Sequence, residues 1–205
     1  MIRIKVLGKK YVIPNHIKNL PIGKFQEISR VKTADEFKKT IEYITILTGL
    51  DEKVIREIDI EDVRLLMNNF NFDINKETPL IEAVKIDKIY KFDKDLDNMV
   101  FGMFVDLTEM TKEPEEIIDN IHLIMSILYR PVIKQKLFSR KLVIEPYDME
   151  TVKERAEFFK NNMTMDKIIG ALFFFINLKL KYIQNLEGYL QPIMKEMTEM
   201  KMKMK

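Results

Sequence analysis

The chain has no cysteine and no tryptophan, and it contains only two histidines and three serines among 205 residues. Without cysteine, disulfide bonds, thiolate metal sites and a thiol nucleophile are excluded. None of the serines lies in a GxSxG sequence, and neither His16 nor His122 lies in an HxxxH or ExxH pattern that could chelate a metal ion. We therefore expect no metal and no catalytic triad, and we expect the protein not to be an enzyme.

Glycine and proline are also scarce, with six and seven copies. The glycines form neither a GxGxxG nor a GxxxxGK[ST] sequence, so nothing predicts a phosphate-binding loop, a cofactor or a small-molecule substrate. Paired carboxylates occur, but they are better explained as helix caps and solvated loops than as an acid–base pair. The low content of glycine and proline favours helices over β-sandwiches.

An excess of charge of one sign is missing too. Lys and Arg number 34 against 32 Asp and Glu, a formal net charge of +2, so no overall field attracts nucleic acid or an anionic membrane.

The longest apolar run, residues 168–178, is shorter than the about 20 residues that a membrane-spanning helix needs. It predicts a buried helix. The alternating opening sequence MIRIKVLGKK predicts a strand rather than a signal peptide.

Two stretches of the chain resemble each other in order. A shift of 79 positions matches Tyr11 with Tyr90, Gly23 with Gly102, Phe25 with Phe104, and Ile28 with Leu107. A shift of 81 matches Ile46 and Leu47 with Ile127 and Leu128, and a shift of 89 matches Asp59 with Asp148 and Phe70 with Phe159. Few positions are identical, so chance similarity is the alternative. The pattern predicts two copies of one unit.

The hydrophobic periodicity predicts a predominantly helical α+β fold made of two loosely repeated units, each a small β-hairpin followed by several helices. The predicted units are residues 1–78 and 79–190, because the polar stretch 71–79 is the best boundary. Residues 132–145 are a basic insertion in the second unit, and residues 191–205 form a Met- and Lys-rich extension.

Three local expectations concern single helices. Thr33 and Glu36 have the spacing of a capping box at a helix start. In the helix that follows, an apolar stripe from Phe37 to Leu50 should face the core. Farther along, the three successive phenylalanines 173–175 point around more than half of a helix, so they should be nearly enclosed by the fold or by a partner.

Two segments are candidate partner interfaces. The insertion carries four basic residues, Lys134, Lys136, Arg140 and Lys141. It is either a solvated loop or strand pair, or a contact with an acidic neighbour or nucleic acid. The extension carries Met194, Met197 and Met200 at intervals of three. Flexible methionines suit an adaptable binding surface, and a frayed terminus is the alternative.

The chain contains, in order, the short sequences IRIKVLGKKYVIP, GKFQEI, ILTGL, ILYRP, RAEFF and ALFFF. Together they resemble small virion and tail-morphogenesis proteins of tailed bacteriophages from AT-rich genomes, and the resemblance extends to about residue 187. It implies a non-enzymatic component of the phage particle, assembled in the bacterial cytoplasm. No catalytic residue comes with it.

Within that class the resemblance implies either a ring or connector subunit of the neck or tail, or a tail-assembly chaperone that is absent from the finished particle. As a ring subunit, the protein would bind other copies of itself and neighbouring head, neck or tail proteins. A different class is a small regulator that binds nucleic acid through the basic segment 134–141 and the Lys-rich C-terminal end. The near-neutral net charge disfavours it. We expect the ring or connector role.

Overall fold

The computed structural model describes residues 1–6, 8–74, 78–94, 99–135 and 142–180. The strands are β1 (Ile2–Val6), β2 (Lys9–Ile13), β3 (Ala83–Lys85), β4 (Ile89–Phe92), β5 (Tyr129–Gln135) and β6 (Leu142–Ile144). The helices are α1 (Ile22–Arg30), α2 (Glu36–Thr48), α3 (Glu52–Ile55), α4 (Ile60–Asn69), α5 (Phe101–Glu109), α6 (Pro114–Asp119), α7 (Ile121–Leu128), α8 (Met149–Asn162) and α9 (165–180). The fold is α+β and mainly helical, as predicted.

The strands form two antiparallel sheets. One is the predicted hairpin of β1 and β2, in which Ile2 pairs with Ile13 and the alternate residues of β1 are buried. Gly8 has a φ of 80°, a left-handed conformation that suits glycine in this tight turn. The other sheet has the order β3-β4-β5-β6. Its β5–β6 pair is formed by the basic insertion, with a register shift between Val132 and Lys134.

The start of α2 differs from the expectation. Asp35 is the N-cap, and its carboxylate accepts hydrogen bonds from the amides of Phe37 and Lys38. Thr33 instead donates its hydroxyl hydrogen bond to Glu42, so the predicted capping box of Thr33 and Glu36 is wrong. An ionised carboxylate two residues closer to the free amides is the stronger acceptor and takes the cap position.

The apolar stripe of α2 also enters the core only in part. Ile44 and Leu47 are buried, whereas Phe37 is 86 % exposed, so the expectation that Phe37 faces the core is wrong. Phe37 lies on the same helix face as Ile44 but about two turns nearer the N-terminus. The residues around it are exposed as well, because this end of α2 extends beyond the core.

Each half of the chain begins with a pair of strands followed by helices, and the second half contains the additional strands β5 and β6. When 79 is added to the residue numbers of the first half, the bounds of α1 become those of α5, and β2 overlaps β4. The buried apolar side chains of the two halves nevertheless form one continuous cluster. The boundary at residue 78 stays a prediction, and the extension 191–205 lies outside the described residues.

Backbone pairing ties residues 20–22 to residues 163–165. The amide of Ile22 donates to the carbonyl of Met163 at 3.0 Å, and the amide of Met165 donates to the carbonyl of Leu20 at 2.9 Å. Helix α9 then crosses the segment 79–80 at Gly170, where an added Cβ would clash with the Pro79 carbonyl. These contacts fix the start of α1 at the junction between α8 and α9, and they fix α9 against residues 79–80.

The phenylalanine run of α9 is less enclosed than expected. Phe175 is buried, but Phe174 remains 39 % exposed although its ring lies 5.6 Å from that of Phe92. Three successive helical residues span about 200°, and only part of that arc faces the core. Among the described helices, none is both long enough and apolar enough to cross a bilayer.

Candidate functional site

The predicted interface residues lie mostly outside the described part of the chain. Lys134 is exposed on β5, opposite Val143 of β6. The other predicted interface residues, Lys136, Arg140, Lys141, Met194, Met197 and Met200, lie outside the described residues. Three features of the described residues are therefore compared as sites: a buried arginine network, the cleft beside it, and two exposed aromatic surfaces.

Two buried arginines anchor the base of the β5–β6 hairpin. Arg130 on β5 donates to the carbonyl of Glu145 at 2.9 Å and forms an ion pair with Asp93. Arg155 on α8 forms an ion pair with the carboxylate of Glu145 and donates to the carbonyl of Ser126 at 3.2 Å. Glu145 thus joins both arginines. Removing one partner of such a buried pair leaves an uncompensated charge, which typically costs about 3–5 kcal/mol.

A cleft of about 230 Å³ lies beside Arg155. Its wall includes Tyr90, whose hydroxyl donates to Asp87 at 2.8 Å and whose ring packs edge-on against Phe159 at 4.8 Å. The remaining lining residues are Lys88, Pro131, Glu145, Thr151, Glu154 and Phe158. Three carboxylates and two cationic side chains share this small volume, so the cleft favours neither an anion nor a cation strongly.

The electrostatics of the cleft do not favour proton transfer near neutral pH by its two hydrogen-bonded partners. Burial, with the bond to Asp87, raises the pKa of the Tyr90 hydroxyl well above its usual range. Burial alone would raise the pKa of Asp87, but the Tyr90 hydroxyl and nearby backbone amides hold it below its usual value. Tyr90 therefore stays a hydrogen-bond donor and Asp87 stays ionised, which suits a structural contact.

The first exposed aromatic surface, called the α5 face, consists of Phe101, Gly102 and Phe104. The side chain of Phe101 is 80 % exposed and that of Phe104 is 46 % exposed. Met103 and Leu107, on the other side of the helix, are buried in the core. α5 is therefore amphipathic with its inner side filled, yet it presents two aromatic rings to solvent. Such an unshielded apolar surface is typical of a protein-binding site.

The second surface, called the α2 face, consists of Phe37, Lys38 and Ile41. Phe37 and Lys38 are exposed and Ile41 is half-buried. Phe37 was missed as a surface residue because its spacing matches the core stripe. No signal in the sequence alone distinguishes it from Ile44.

The two histidines lie apart. His16 caps a short 3-10 helix, where its Nδ1 accepts from the amide of Lys18 at 3.2 Å. His122 lies on α7, with its Nδ1 3.1 Å from Nε2 of Gln26. Among the described residues, no group of three or more His, Asp or Glu side chains is arranged to hold a metal ion.

No family model, no curated protein and no solved structure matches the chain. The arginine network is explained by its contacts as a support for the hairpin. The two aromatic surfaces have no comparable structural explanation within the described chain, and they are therefore the best candidate functional site.

Proposed function

We propose that the protein is a non-enzymatic structural component of a tailed bacteriophage particle, a ring or connector subunit of the neck or tail. Two kinds of observation support the proposal. The resemblance of its short sequence motifs to phage virion and tail-morphogenesis proteins supports the class. The exposed aromatic side chains of Phe101 and Phe37 support a role that depends on binding other protein chains.

The observation that carries the proposal is that the α5 face and the α2 face belong to different helices in the two halves of the chain. A subunit that lies between two neighbours in a ring needs two different contact surfaces, one for each neighbour. A protein that binds one partner needs only one. The protein would act in the phage particle, which is assembled in the cytoplasm of the bacterial host.

Quantitative mass spectrometry of gradient-purified particles from the source phage tests this proposal. The chain should be present at a fixed ratio to the portal protein, and about a dozen copies per particle would fit a ring. Its absence from particles, with recovery from infected cells in complex with a tail protein, would contradict the proposal and favour the tail-assembly chaperone.

A further inference from the structure

Helices α1 and α5 match in sequence position, because a shift of 79 residue numbers turns the bounds of α1 into those of α5. Each also packs against a later helix of its own predicted unit, α1 against α2 and α5 against α7. A shift of 81 places α2, residues 36–48, over residues 117–129, which span most of α6 and all of α7. Equivalent helices allow the surroundings of α1 to be compared with those of α5.

The outer face of α1 is covered by the second half of the same chain. Ile22 is completely buried and Phe25 is only 7 % exposed. Gly23 brings α8 close: an added Cβ would lie 3.0 Å from Cγ and 3.1 Å from the carbonyl oxygen of Lys160. α1 also packs against α6 and α7. Helices of the other half therefore cover this face.

Two polar contacts fix α1 against α6 and α7. The Gln26 side-chain amide donates to the carbonyls of Ile118 and Asp119 and lies beside His122. Arg30 forms an ion pair with Asp119 at 2.7 Å. The contact thus combines a buried apolar patch with one polar pair and one charged pair.

The same face of α5 is open. Phe101, which is equivalent to Ile22, and Phe104, which is equivalent to Phe25, both project into solvent. Gly102 is equivalent to Gly23, but the nearest atom to an added Cβ there is Cε1 of Tyr147 at 3.8 Å. α5 therefore keeps the side-chain arrangement of a helix-binding face, and no helix among the described residues is bound to it.

An equivalent of α6 and α7, which form part of the cover of α1, is also available on the same chain. The residues of α2 equivalent to Ile118, Asp119 and His122 are Phe37, Lys38 and Ile41. They form the α2 face, at which Phe37 and Lys38 are exposed. α2 therefore presents to solvent the surface that α6 and α7 present to α1.

The charged pair between α1 and α6 has a counterpart of opposite polarity on α5 and α2. The Arg30–Asp119 ion pair corresponds to Glu109 of α5 and Lys38 of α2, so both charges are reversed and the attraction is kept. Glu109 and Lys38 are both exposed.

The polar pair changes in the same way. Gln26 and His122 correspond to Val105 of α5 and Ile41 of α2, so a polar pair is replaced by an apolar pair. Both apolar side chains are half-buried. Complementarity is therefore preserved in charge and in polarity between two surfaces that lie on different helices.

We infer that the α5 face of one copy binds the α2 face of a second copy, and that this contact repeats the one that α1 makes with α6 and α7. The contact joins two different surfaces, so copies associate head to tail, which closes into a ring or extends as a filament. This inference deepens the proposed function and rests on it for the biological setting of the assembly.

The exposed aromatic rings supply the apolar centre of such an interface. A phenylalanine side chain can bury roughly 150–250 Å². At their exposed fractions, Phe101 and Phe104 offer about 250 Å² on one partner and Phe37 offers about 170 Å² on the other. A standard interface buries about 800 Å² per partner. The aromatic side chains therefore form about a fifth to a third of each side, and Glu109 and Lys38 border them.

Sedimentation of the full chain over a range of concentrations tests the inference. The wild-type protein should associate as its concentration rises. Phe101→Ser and Phe37→Ser should each weaken association by about tenfold or more, because a central aromatic anchor is lost from each side. The double variant should add little to either single change. Val12→Ser removes an exposed apolar side chain on β2 and is the matched control, with unchanged association.

Charge reversal identifies the partner surface. Glu109→Lys and Lys38→Glu should each weaken association by about two- to fivefold, and mixing the two variants should restore it, because each then meets an opposite charge. Failure of the mixture to recover would overturn the α5–α2 pairing. A Lys38→Glu variant that associates like the wild type would also overturn it and would favour a symmetric contact of α5 with α5. Thermal unfolding of each variant verifies that the fold is retained.

The inference and the proposed function fail in different ways. A wild-type chain that remains monomeric up to its solubility limit, or a Phe101→Ser variant that assembles normally, overturns the inference. A chain that assembles through Phe101 and Phe37 but is absent from purified particles leaves the inference standing and overturns the proposed function.

Discussion

His122 illustrates how one side chain couples folding to pH. Its ring lies on α7 against Gln26 of α1, and burial, followed by the nearby Lys160, lowers its pKa below the ordinary 6.5, with Arg30 acting in the same direction and Glu157 opposing it. The neutral ring can accept a hydrogen bond from the Gln26 amide, whereas a proton on Nδ1 removes that acceptor.

We predict that stability falls as the pH drops below about 6.5. In that range the unfolded chain binds the proton that the folded chain excludes, so the free energy of unfolding decreases by at most about 1.4 kcal/mol per pH unit for this group. Melting temperatures between pH 7.5 and 5.5 measure the effect. His122→Gln should flatten the profile, while His16→Asn, which changes the more exposed histidine, should alter it less. Equal slopes for both variants would contradict the assignment.

At the scale of elements, the sequence predicted the hairpin of β1 and β2 and the helical conformation of residues 168–178. These features depend on local spacing and turn chemistry. Phe37 was misplaced because its spacing places it on the same helix face as Ile44, and periodicity does not tell where a helix leaves the core.

The candidate site was less predictable for a related reason. The α5 face could be located as a helix, but its exposure depends on which distant helix covers it. The Arg130 and Arg155 network has partners as far apart as Asp93 and Glu145, and no short motif joins them. Long-range pairing of this kind is set by tertiary packing rather than by local sequence.

The crossing of α9 over residues 79–80 gives the clearest test of an element contact. An alanine at Gly170 would place its Cβ against the Pro79 carbonyl and 2.8 Å from the amide nitrogen of Leu80. We predict that Gly170→Ala lowers the free energy of unfolding by about 1–3 kcal/mol, because the backbone has to move apart. Urea denaturation measures the loss.

Gly102→Ala is the matched control for this crossing. Gly102 is also helical, but its added methyl group would meet only Tyr147 at an ordinary distance of 3.8 Å. Alanine is the better helix former by up to about 1 kcal/mol, so the control should be neutral or more stable. A Gly170→Ala variant as stable as Gly102→Ala would show that α9 does not approach this segment closely.

At the scale of the whole molecule, the continuous core predicts one cooperative unfolding transition. Helix α1 of the first half, on which Ile22 and Phe25 are buried, packs against α6, α7 and α8 of the second half, and the backbone of Leu20 pairs with Met165. Neither half can lose its structure without exposing buried apolar surface of the other.

Far-ultraviolet circular dichroism and tyrosine fluorescence should therefore give coincident urea transitions. Two separated transitions would contradict this prediction and would support independent folding of residues 1–78 and 79–190. Calorimetry provides a second criterion, because a single unit requires equal calorimetric and van't Hoff enthalpies.

The backbone pairing of residues 20–22 with residues 163–165 also bears on synthesis of the chain. When α1 leaves the ribosome, α8 has not yet been translated, so Ile22 and Phe25 have no covering helix for most of translation. The nascent chain carries an uncovered apolar helix during this period and is exposed to premature association with copies on neighbouring ribosomes. The first half of the chain can therefore complete its packing only after α8 and α9, the last described helices, have been synthesised.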